Sequence, residues 1–376
     1  MADARPVVAV WKSTWLPGSQ TFVANQLGAL RRWRPLLLGV HRLPDGLPVV
    51  PDRAPFGSGR LWRAVRRASA TTGYLGVYDG LIRREGARVV HAHFGTSAVG
   101  VLPVARRLGL PLVVTFHGYD VTSEPRRTDP AGRRYRARLR EVFAYADTLI
   151  AVSDHVAGLL VSLGAPEGRI RVLPIGIPTE GPEPRPLSAR RGIVFVGRLV
   201  EHKGVEDLLG AVAALPADLR SVPVTIVGDG PLRPALEAAA TTAALDVTWR
   251  GFVPPAEVAM ALRENAIFCA PSIRSVAGDA EAFGMVYLEA ALQGLPVVAY
   301  AVGGVPEAVA RDVTGLLAPE RDITALSGHL RTLLTNPELA SALGSRGRER
   351  VRRDFDVVRR TAELEDLYAS ASARAR

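Results

Sequence analysis

The chain has 376 residues, with 47 Lys or Arg, 37 Asp or Glu and a single cysteine, Cys269. At roughly 150 residues per domain, this length predicts two or three domains. One cysteine excludes an internal disulfide and a multi-cysteine zinc site, which favours a reducing cytoplasm. A composition of 48 % hydrophobic and 22 % charged residues excludes a disordered or fibrous chain, so we expect a soluble globular protein.

No segment reaches the roughly 18 uninterrupted apolar residues of a membrane-spanning helix. Near the N-terminus, the apolar run 7–11 ends at Lys12, which is too early for the apolar region of a signal peptide. We therefore interpret this run as a first buried strand.

The positive charge is concentrated in one half of the chain. Residues 1–190 hold 27 Lys or Arg and 14 Asp or Glu, a net charge of +13, whereas residues 191–376 hold 20 and 23, a net charge of −3. A basic half favours an anionic partner. The candidates are nucleic acid, an anionic membrane surface and a phosphorylated small molecule. Only Lys12 and Lys203 are lysines. Each is a candidate for a compact ammonium at a phosphate, with chance codon usage as the alternative.

Short β-branched runs alternate with helical patterns along the chain, which indicates βαβ units and parallel sheets. Most of these runs are apolar at successive positions, as in strands that are covered on both faces. Strands are expected at residues 7–11, 36–40, 89–91, 112–116, 148–152, 170–173, 193–196, 224–227, 247–249, 267–270 and 296–299.

The segment 174–186 is rich in Pro and Gly and cannot continue a helix or a central strand. It predicts a linker over residues 176–190 between two Rossmann-like domains, 1–175 and 191–354. The expected fold class is therefore α/β, with two domains that face a central cleft, the default ligand site. An amphipathic pattern over residues 357–368 predicts a final helix, within 355–376, that returns to the N-terminal domain.

The strongest local motif follows the first strand of the second half. That strand ends at Gly197, a short loop carries Arg198 and Lys203, and a helix begins near Gly204. Two cations beside the free N–H groups of a helix N-terminus form a site for a diphosphate. The alternative is an exposed loop with two ordinary surface charges.

A second motif places Glu281 in the loop before a helix and Glu289 about two turns later. An ionised carboxylate accepts two hydrogen bonds from a vicinal diol, so the pair suits the hydroxyls of a ribose and a hexose. The alternative is a favourable helix-dipole charge at Glu281 and a solvated Glu289.

These motifs resemble those of the family-4 retaining glycosyltransferases, which have the GT-B fold. The likeness rests on Gly197-Arg198, His202-Lys203-Gly204 and the spacing of Glu281 and Glu289. It continues in order through residues 228–231, 251–253, 303–307 and 314–317, and so covers the C-terminal half. One departure is Ala282, where the family usually has glycine, and this change can alter the backbone angles of the loop.

The resemblance implies roles for residues of the C-terminal, donor-binding domain. Arg198 and Lys203 would neutralise the departing nucleoside diphosphate. Glu281 would hold the transferred sugar, and Glu289 would hold the ribose. The main chain would supply the other donor contacts, at Phe283, Gly284 and Met285 for the sugar nucleotide and from Gly251 to Val253 for the base.

The N-terminal, acceptor-binding domain matches less tightly. Its loop with Gly18 and Ser19 resembles that of family members acting in exopolysaccharide assembly, which usually have Glu where this chain has Gln20. The flexible Gly18 would let the backbone approach a ligand.

Histidines also end two strands of this half, where open α/β sheets place their sites. By resemblance, His117 contacts the donor sugar. His93 and Asp120 are further candidates, whereas His91 is interpreted as a structural residue.

We expect no metal ion and no other cofactor. Asp354 and Asp356 have the spacing of a metal-binding pair, but arginines flank them, so charge compensation is the better account. His91 and His93 lack a close carboxylate partner in sequence. The resemblance also implies metal independence, with the two cations and a helix dipole in place of a metal.

The resemblance implies transfer of a hexose-type sugar from a UDP- or GDP-sugar to an acceptor hydroxyl, with retention of configuration. Because the N-terminal half is basic, a lipid-linked or polysaccharide acceptor is favoured, with the enzyme cytoplasmic and peripheral on the inner membrane face. One alternative is a small soluble acceptor, such as an aminocyclitol or a secondary-metabolite aglycone. A non-catalytic sugar-nucleotide binder is another. A basic nucleic-acid-binding protein ranks last, since no recognition motif is visible.

Overall fold

The computed structural model describes residues 3–18, 20–43, 46–54, 76, 78–276 and 278–374. The chain forms two compact units. Unit 1 consists of Met1–Pro178 and Val357–Arg376, and unit 2 consists of Thr179–Asp356. Each unit contains a parallel β-sheet with helices, so the expected two-domain α/β architecture is confirmed.

Unit 1 is built on a six-stranded sheet with the order β2-β1-β3-β4-β5-β6, in which every pair is parallel. Its strands are β1 (Val7–Trp15), β2 (Arg34–Arg42), β3 (Ala87–His93), β4 (Leu112–Phe116), β5 (Thr148–Ala151) and β6 (Ile170–Val172). The helices between them, within the described ranges, are α1 (Thr21–Ala29), α2 (Asp79–Arg84), α3 (Gly95–Leu108), α4 (Ser123–Arg126), α5 (Pro130–Tyr145) and α6 (Asp154–Ser162).

The first strand of unit 1 is buried because it is apolar on both faces. Residues 8–10 are at most 1 % exposed, as the continuous apolar run predicts. However, β1 continues to Trp15 instead of ending near Trp11. Lys12 is itself buried within the strand, so its charge does not mark the end of the strand.

Unit 2 contains a second six-stranded parallel sheet, with the order β12-β11-β10-β7-β8-β9. Its strands are β7 (Ile193–Val196), β8 (Val224–Val227), β9 (Val247–Gly251), β10 (Ile267–Cys269), β11 (Val297–Tyr300) and β12 (Gly315–Ala318). Its helices are α7 (Val205–Ala213), α8 (Arg233–Thr242), α9 (Pro255–Glu264), α10 (Met285–Leu292), α11 (Val305–Ala308), α12 (Ile323–Thr335) and α13 (Pro337–Asp354).

The edge strand β12 is absent from the strands expected from the sequence. It has four residues and begins with Gly315, and glycine is depleted in strands. In the sheet, Gly315 pairs with Val297 of β11. A Cβ on Gly315 would lie 2.5 Å from the carbonyl oxygen of Val297, so close approach of the backbones explains the glycine.

The segment expected to be a linker, residues 176–190, belongs to unit 2 from Thr179 onward. Glu183 in this segment forms ion pairs with Arg348 and Arg352 of α13. As expected, it forms no strand of the sheet and no helix longer than a three-residue 3₁₀ turn. Side-chain contacts therefore fix its position in unit 2.

The final helix, α14 (Val357–Arg374), packs in unit 1, as its amphipathic pattern predicts. Tyr368 is buried against Trp33, with ring centroids 5.6 Å apart. Its hydroxyl is 2.6 Å from His91 Nδ1, and His91 Nε2 is 2.8 Å from the hydroxyl of Thr115. Because the protein engages both ring nitrogens of His91, the structural interpretation of this residue is confirmed.

Glu365 joins α14 to the segment that follows α1. Its side chain is 2 % exposed. Its Oε1 accepts hydrogen bonds from the backbone N–H groups of Arg31, Arg32 and Trp33, at 3.0, 2.7 and 2.9 Å. One carboxylate therefore satisfies three N–H groups of a turn that has no strand partner for them.

Replacing Glu365 by alanine is expected to lower the free energy of unfolding by about 2–4 kcal/mol, because the buried N–H of Trp33 and two partly buried N–H groups lose their acceptor. Denaturant unfolding at pH 7 measures this loss. Glu363→Ala is the matched control: Glu363 is 45 % exposed in a surface pair with Arg360, and its removal should change stability by no more than about 0.5 kcal/mol. Equal effects of the two substitutions would contradict the anchoring role.

Candidate functional site

In unit 2, the strand order reverses at β7. The chain proceeds from β7 to β8 and β9 on one side, and through β10, β11 and β12 on the other. Open α/β sheets bind ligands at such a switch point, outside the carboxyl ends of the strands. The loops after β7 and β10 therefore define the candidate site of unit 2.

Glycines hold the loop after β7 against its neighbours. Gly204 precedes α7 with a φ of 64°, and a Cβ there would lie 1.9 Å from the carbonyl oxygen of Pro271. Gly228, after β8, has a φ of 131°, and its Cβ would lie 1.9 Å from the carbonyl oxygen of Gly197. Only glycine fits both positions. The loop with the two predicted cations therefore packs directly on the loops after β8 and β10.

Lys203 and Glu281 form an ion pair in which Lys203 Nζ donates to Glu281 Oε2 at 2.5 Å. The hydroxyl of Ser272, just after β10, is 3.4 Å from the same oxygen. Burial opposes ionisation of Glu281, but the adjacent ammonium outweighs burial and lowers the pKa of this carboxyl below its ordinary value. Glu281 is therefore a carboxylate at neutral pH. The sequence offers one signal for Ser272, its place at the carboxyl end of a strand.

Two further glycines position the backbone of Glu281. A Cβ on Gly303 would lie 2.2 Å from the carbonyl oxygen of Glu281, and one on Gly304 would lie 2.1 Å from that of Ala282. The N–H of Gly304 also donates to the carbonyl of Glu281 at 2.8 Å. Ala282 itself has no positive φ, so alanine adopts the backbone conformation of this loop without strain.

Arg198 and Glu289 are the open polar groups at this edge of unit 2. Arg198 is exposed, and Glu289 is half-buried on α10. Burial raises the pKa of Glu289 above its ordinary value. Within the part of the chain that the structure describes, neither side chain has a hydrogen bond or an ion pair. A free guanidinium suits a phosphate, and a free carboxylate suits hydroxyl groups.

The main chain of Phe283, Gly284 and Met285 forms the start of α10. Gly284 has a φ of 86°. The side chain of Phe283 is 2 % exposed and packs against Phe355, with ring centroids 5.5 Å apart. Because this side chain belongs to the core, any ligand contact at Phe283 falls to its main chain.

Gly251 and Val253, the residues predicted near the base, follow the sheet of unit 2. Gly251 ends β9 with a φ of 66°, and its carbonyl accepts from the N–H of Gly228 at 2.7 Å. Val253 is half-buried. Phe252 between them is 80 % exposed, so this corner of unit 2 presents an aromatic ring beside the glycine loop.

His93 and His117 meet at the carboxyl ends of β3 and β4 in unit 1. His93 Nδ1 is 3.2 Å from His117 Nε2. Burial, and then neighbouring positive charge, lowers the pKa of both imidazoles well below the ordinary value. Both rings are therefore neutral at pH 7. Their outer nitrogens, His93 Nε2 and His117 Nδ1, are buried and have no hydrogen-bond partner in the described ranges.

Asp120 is fully buried and supports this pair. Its Oδ1 accepts from the N–H groups of His117 and Gly118, at 3.1 and 2.9 Å, and its Oδ2 accepts from the N–H of Gly95 at 2.8 Å. Burial raises the pKa of Asp120 to about 6 despite these hydrogen bonds. The carboxylate thus joins the loop after β4 to the start of α3, and the structure places it as a support for His117, away from the surface.

Lys12 and Phe94 are a second pair at this edge of unit 1. Lys12 is 4 % exposed, and its Nζ lies 4.5 Å from the ring centroid of Phe94. Phe94 has a φ of 72°, which residues other than glycine seldom adopt. The sequence marks Lys12 as one of two lysines and as a candidate for an ammonium at a phosphate. It had no signal for Phe94, because tertiary contacts set that backbone angle.

The predicted glycine loop of unit 1 is described only in part. Gly18 is exposed and has no atom within 4 Å of the position of a Cβ, whereas Ser19 lies outside the described residues. The side chain of Gln20 follows, and its Oε1 is buried with no partner among the residues described.

Across the described ranges, no group of three or more His, Cys, Asp or Glu is arranged to hold a metal ion. Asp354 is paired with Arg353 at 2.8 Å, and Asp356 accepts a hydrogen bond from Thr179 at 2.5 Å. Charge compensation and hydrogen bonding thus account for the two aspartates.

Two protein families match the chain in succession. Residues 18–180 match Glycosyltransferase Family 4, and residues 183–350 match Glycosyl transferases group 1. The Escherichia coli protein named putative colanic acid biosynthesis glycosyltransferase WcaL is 32 % identical over 291 residues, which cover 75 % of this chain and 70 % of that protein. A GDP-mannose-dependent phosphatidylinositol monomannoside mannosyltransferase of Mycolicibacterium smegmatis is 32 % identical over 73 % of this chain and 75 % of its own.

Solved structures show the same fold. Sucrose-phosphate synthase from Thermosynechococcus elongatus matches with a TM-score of 0.79 at 22 % identity, over 98 % of this chain and 100 % of that one. HepE of Anabaena in complex with UDP-glucose matches with a TM-score of 0.74 at 19 % identity, over 97 % and 99 % of the two chains. These relationships confirm the resemblance found in the sequence motifs. The chain belongs to the family-4 glycosyltransferases of the GT-B fold, among those of the exopolysaccharide type.

Proposed function

We propose that this glycosyltransferase moves a hexose-type sugar from a UDP- or GDP-sugar to a hydroxyl of a polysaccharide or lipid-linked acceptor, with retention of configuration. The observation that carries the proposal is the ion pair of Lys203 and Glu281 at the switch point of unit 2. It places an ammonium and a carboxylate, the groups that suit a phosphate and a sugar diol, side by side.

In the proposed complex, Arg198 and Lys203 bind the diphosphate. Negative charge develops on this group as the bond to the sugar breaks, so fixed cations stabilise the transition state more than the ground state. The N-terminus of α7, directly after Gly204, adds the positive end of a helix dipole. No metal ion is required in this scheme.

Glu281 is proposed to accept hydrogen bonds from the hydroxyls of the transferred sugar, and Glu289 from those of the ribose. The side chain of Glu289 has no hydrogen bond or ion pair among the described residues, so its carboxylate is available to a ribose. The main chain at the start of α10 and from Gly251 to Val253 is proposed to contact the rest of the donor. For retention, the leaving phosphate would take the proton of the acceptor hydroxyl on the same face of the sugar.

The relatives support the donor and acceptor classes. HepE binds UDP-glucose, and the mycobacterial relative is GDP-mannose-dependent. The proposal therefore includes both UDP-sugars and GDP-sugars as donors. The names of two relatives specify colanic acid and amylovoran biosynthesis, and that of a third specifies a phosphatidylinositol mannoside. The D-inositol 3-phosphate glycosyltransferase of Saccharomonospora viridis, 32 % identical over 76 % of this chain, favours the second candidate, a small soluble acceptor.

Removing either member of the ion pair should reduce turnover by a factor on the order of 10²–10³. Lys203→Ala and Glu281→Ala are to be assayed for sugar release from a panel of UDP- and GDP-sugars. Each single variant leaves a partly buried charge without its partner, so the Lys203→Met, Glu281→Gln double variant serves as the folded but inactive form.

The control is Glu264→Ala, which removes one member of the exposed pair Arg250–Glu264 and should retain full turnover. Near-normal turnover of the double variant, with native thermal unfolding, would show that the pair does not act in catalysis.

Metal independence is a separate prediction. Sugar transfer should be unchanged within about twofold after dialysis against EDTA, because the proposed charge stabilisation comes from Arg198, Lys203 and α7. Recovery of lost activity by added Mg²⁺ or Mn²⁺ would refute this part of the scheme.

Membrane-surface binding is proposed for the basic helix α5, at the cytoplasmic face. None of the helices in the described part of the chain has the length and apolarity to cross a bilayer. Arg134 and Arg140 of α5 are exposed and have no ion pair within the described ranges. Three further arginines of the basic N-terminal half, Arg63, Arg66 and Arg67, lie outside the described residues.

Neutralising Arg134 and Arg140 with glutamine should weaken binding to vesicles that contain anionic lipid by on the order of tenfold, since each basic residue near the surface contributes about 1 kcal/mol. Co-sedimentation at low and high salt measures this binding. The matched control replaces Arg331 and Arg346, two exposed arginines of unit 2. Binding that is unchanged, or equally weakened by both pairs, would remove the membrane from the proposal.

A further inference from the structure

The sheet of unit 1 has its own switch point. Its order, β2-β1-β3-β4-β5-β6, reverses between β1 and β3. Lys12 lies on β1, and Phe94 directly follows β3. The ammonium of Lys12 near the ring of Phe94 therefore occupies the place where sheets of this kind bind a ligand.

Lys12 is a buried residue whose ammonium contacts the ring of Phe94 but no anion among the described residues. Its side chain has neither a hydrogen bond nor an ion pair in the described ranges. Burial lowers the pKa of Lys12 to about 8, and the charge of Asp120 opposes this shift only in part. Lys12 therefore remains mainly protonated at pH 7. An unpaired buried ammonium is costly to a fold, unless an anion from outside completes the site.

Among the residues that the structure describes, no carboxylate forms an ion pair with Lys12. The carboxylate of Asp120 raises the pKa of Lys12 by its charge, but its oxygens already accept hydrogen bonds from three backbone N–H groups. The ring of Phe94 lies between the remaining groups, 4.3 Å from the ring of His117 and 4.5 Å from Lys12 Nζ. Its positive φ of 72° is backbone strain of the kind that persists at ligand sites.

The neighbouring histidine pair has a fixed hydrogen-bonding pattern. Both rings are neutral and share one hydrogen between His93 Nδ1 and His117 Nε2. Whichever ring donates it, one of the two outer nitrogens then carries a hydrogen and the other a lone pair. This donor and acceptor are buried and have no hydrogen-bond partner among the described residues. A sugar hydroxyl, which both donates and accepts, can satisfy either of them.

We infer that this edge of unit 1 binds a sugar with an anionic group, a phosphate or a carboxylate, through the ammonium of Lys12. That the sugar is the acceptor rests on the proposed function; the site itself does not. An anion on Lys12 and one hydroxyl at each outer histidine nitrogen would satisfy the groups named above.

The test uses three ligands that share one sugar: glucose, glucose 6-phosphate and glucuronate. Thermal unfolding of the full chain is followed as each is titrated at pH 7, because a ligand of the native state raises Tm. In the wild type, one or both anionic sugars should raise Tm while glucose should not. In Lys12→Met, the concentration of anionic sugar needed for the same rise in Tm should be at least about tenfold higher, because a charge-assisted hydrogen bond contributes on that scale.

Controls separate this site from the donor site. The Lys203→Met, Glu281→Gln variant should keep the effect of the anionic sugars and lose that of UDP and GDP, whereas Lys12→Met should do the reverse. Arg83→Met removes an exposed cation of unit 1 and should change neither. Lys12→Arg, which keeps a cation, should retain part of the rise in Tm that the anionic sugars cause.

Lys12→Met should also raise the Tm of the free protein by several degrees, because it removes an unpaired buried charge. A fall in Tm would show that the fold already satisfies the ammonium, and would overturn the inference. The same conclusion would follow if the anionic sugars acted no more strongly than glucose, or acted equally on Lys12→Met. Loss of the nucleotide effect alone in Lys12→Met would assign Lys12 to the donor.

Discussion

The partly buried ion pair of Lys203 and Glu281 is the interaction on which the site of unit 2 depends. A charge of either sign is costly in a protein interior, and a buried pair persists only where its geometry is tightly held. That geometry comes from backbones in close approach: Gly204 on Pro271, and Gly303 on Glu281 itself. Loops that are far apart in sequence are locked together before any ligand binds, so the cation and the carboxylate are already in position.

Lys12 of unit 1 differs from Lys203 because it forms no ion pair with the described residues. Lys12 also lies at a switch point and is also buried, but the carboxylate of Asp120 is committed to backbone N–H groups. The histidines beside it are neutral, because burial lowers their pKa. Unit 2 thus contains a lysine that forms an ion pair, whereas the lysine of unit 1 forms none with the residues that the structure describes. Most of the arginines lie at the surface, whereas Lys12 is buried and Lys203 is partly buried.

Much of the fold could be predicted, because the signals for it are local. Continuous apolar runs marked the central strands, and prolines marked the segment between the two halves. The failures occurred where a local signal was weak or misleading. The short β12 begins with a glycine that only its pairing with β11 explains. The strand β1 continues past Lys12 because that lysine is buried. No local pattern predicts the positive φ of Phe94.

By itself, the sequence determined the alternation of strands and helices, the family, and the residues of the donor motifs, since each depends on residue type and spacing along the chain. Only the tertiary structure decided which of these residues meet. It pairs Lys203 with Glu281, binds the Asp120 carboxylate to three backbone N–H groups beside His117, and leaves Lys12 without an ion pair among the described residues. The physical reason is that the cost of a charge depends on burial and on the groups within hydrogen-bonding distance, and the folded chain alone sets both.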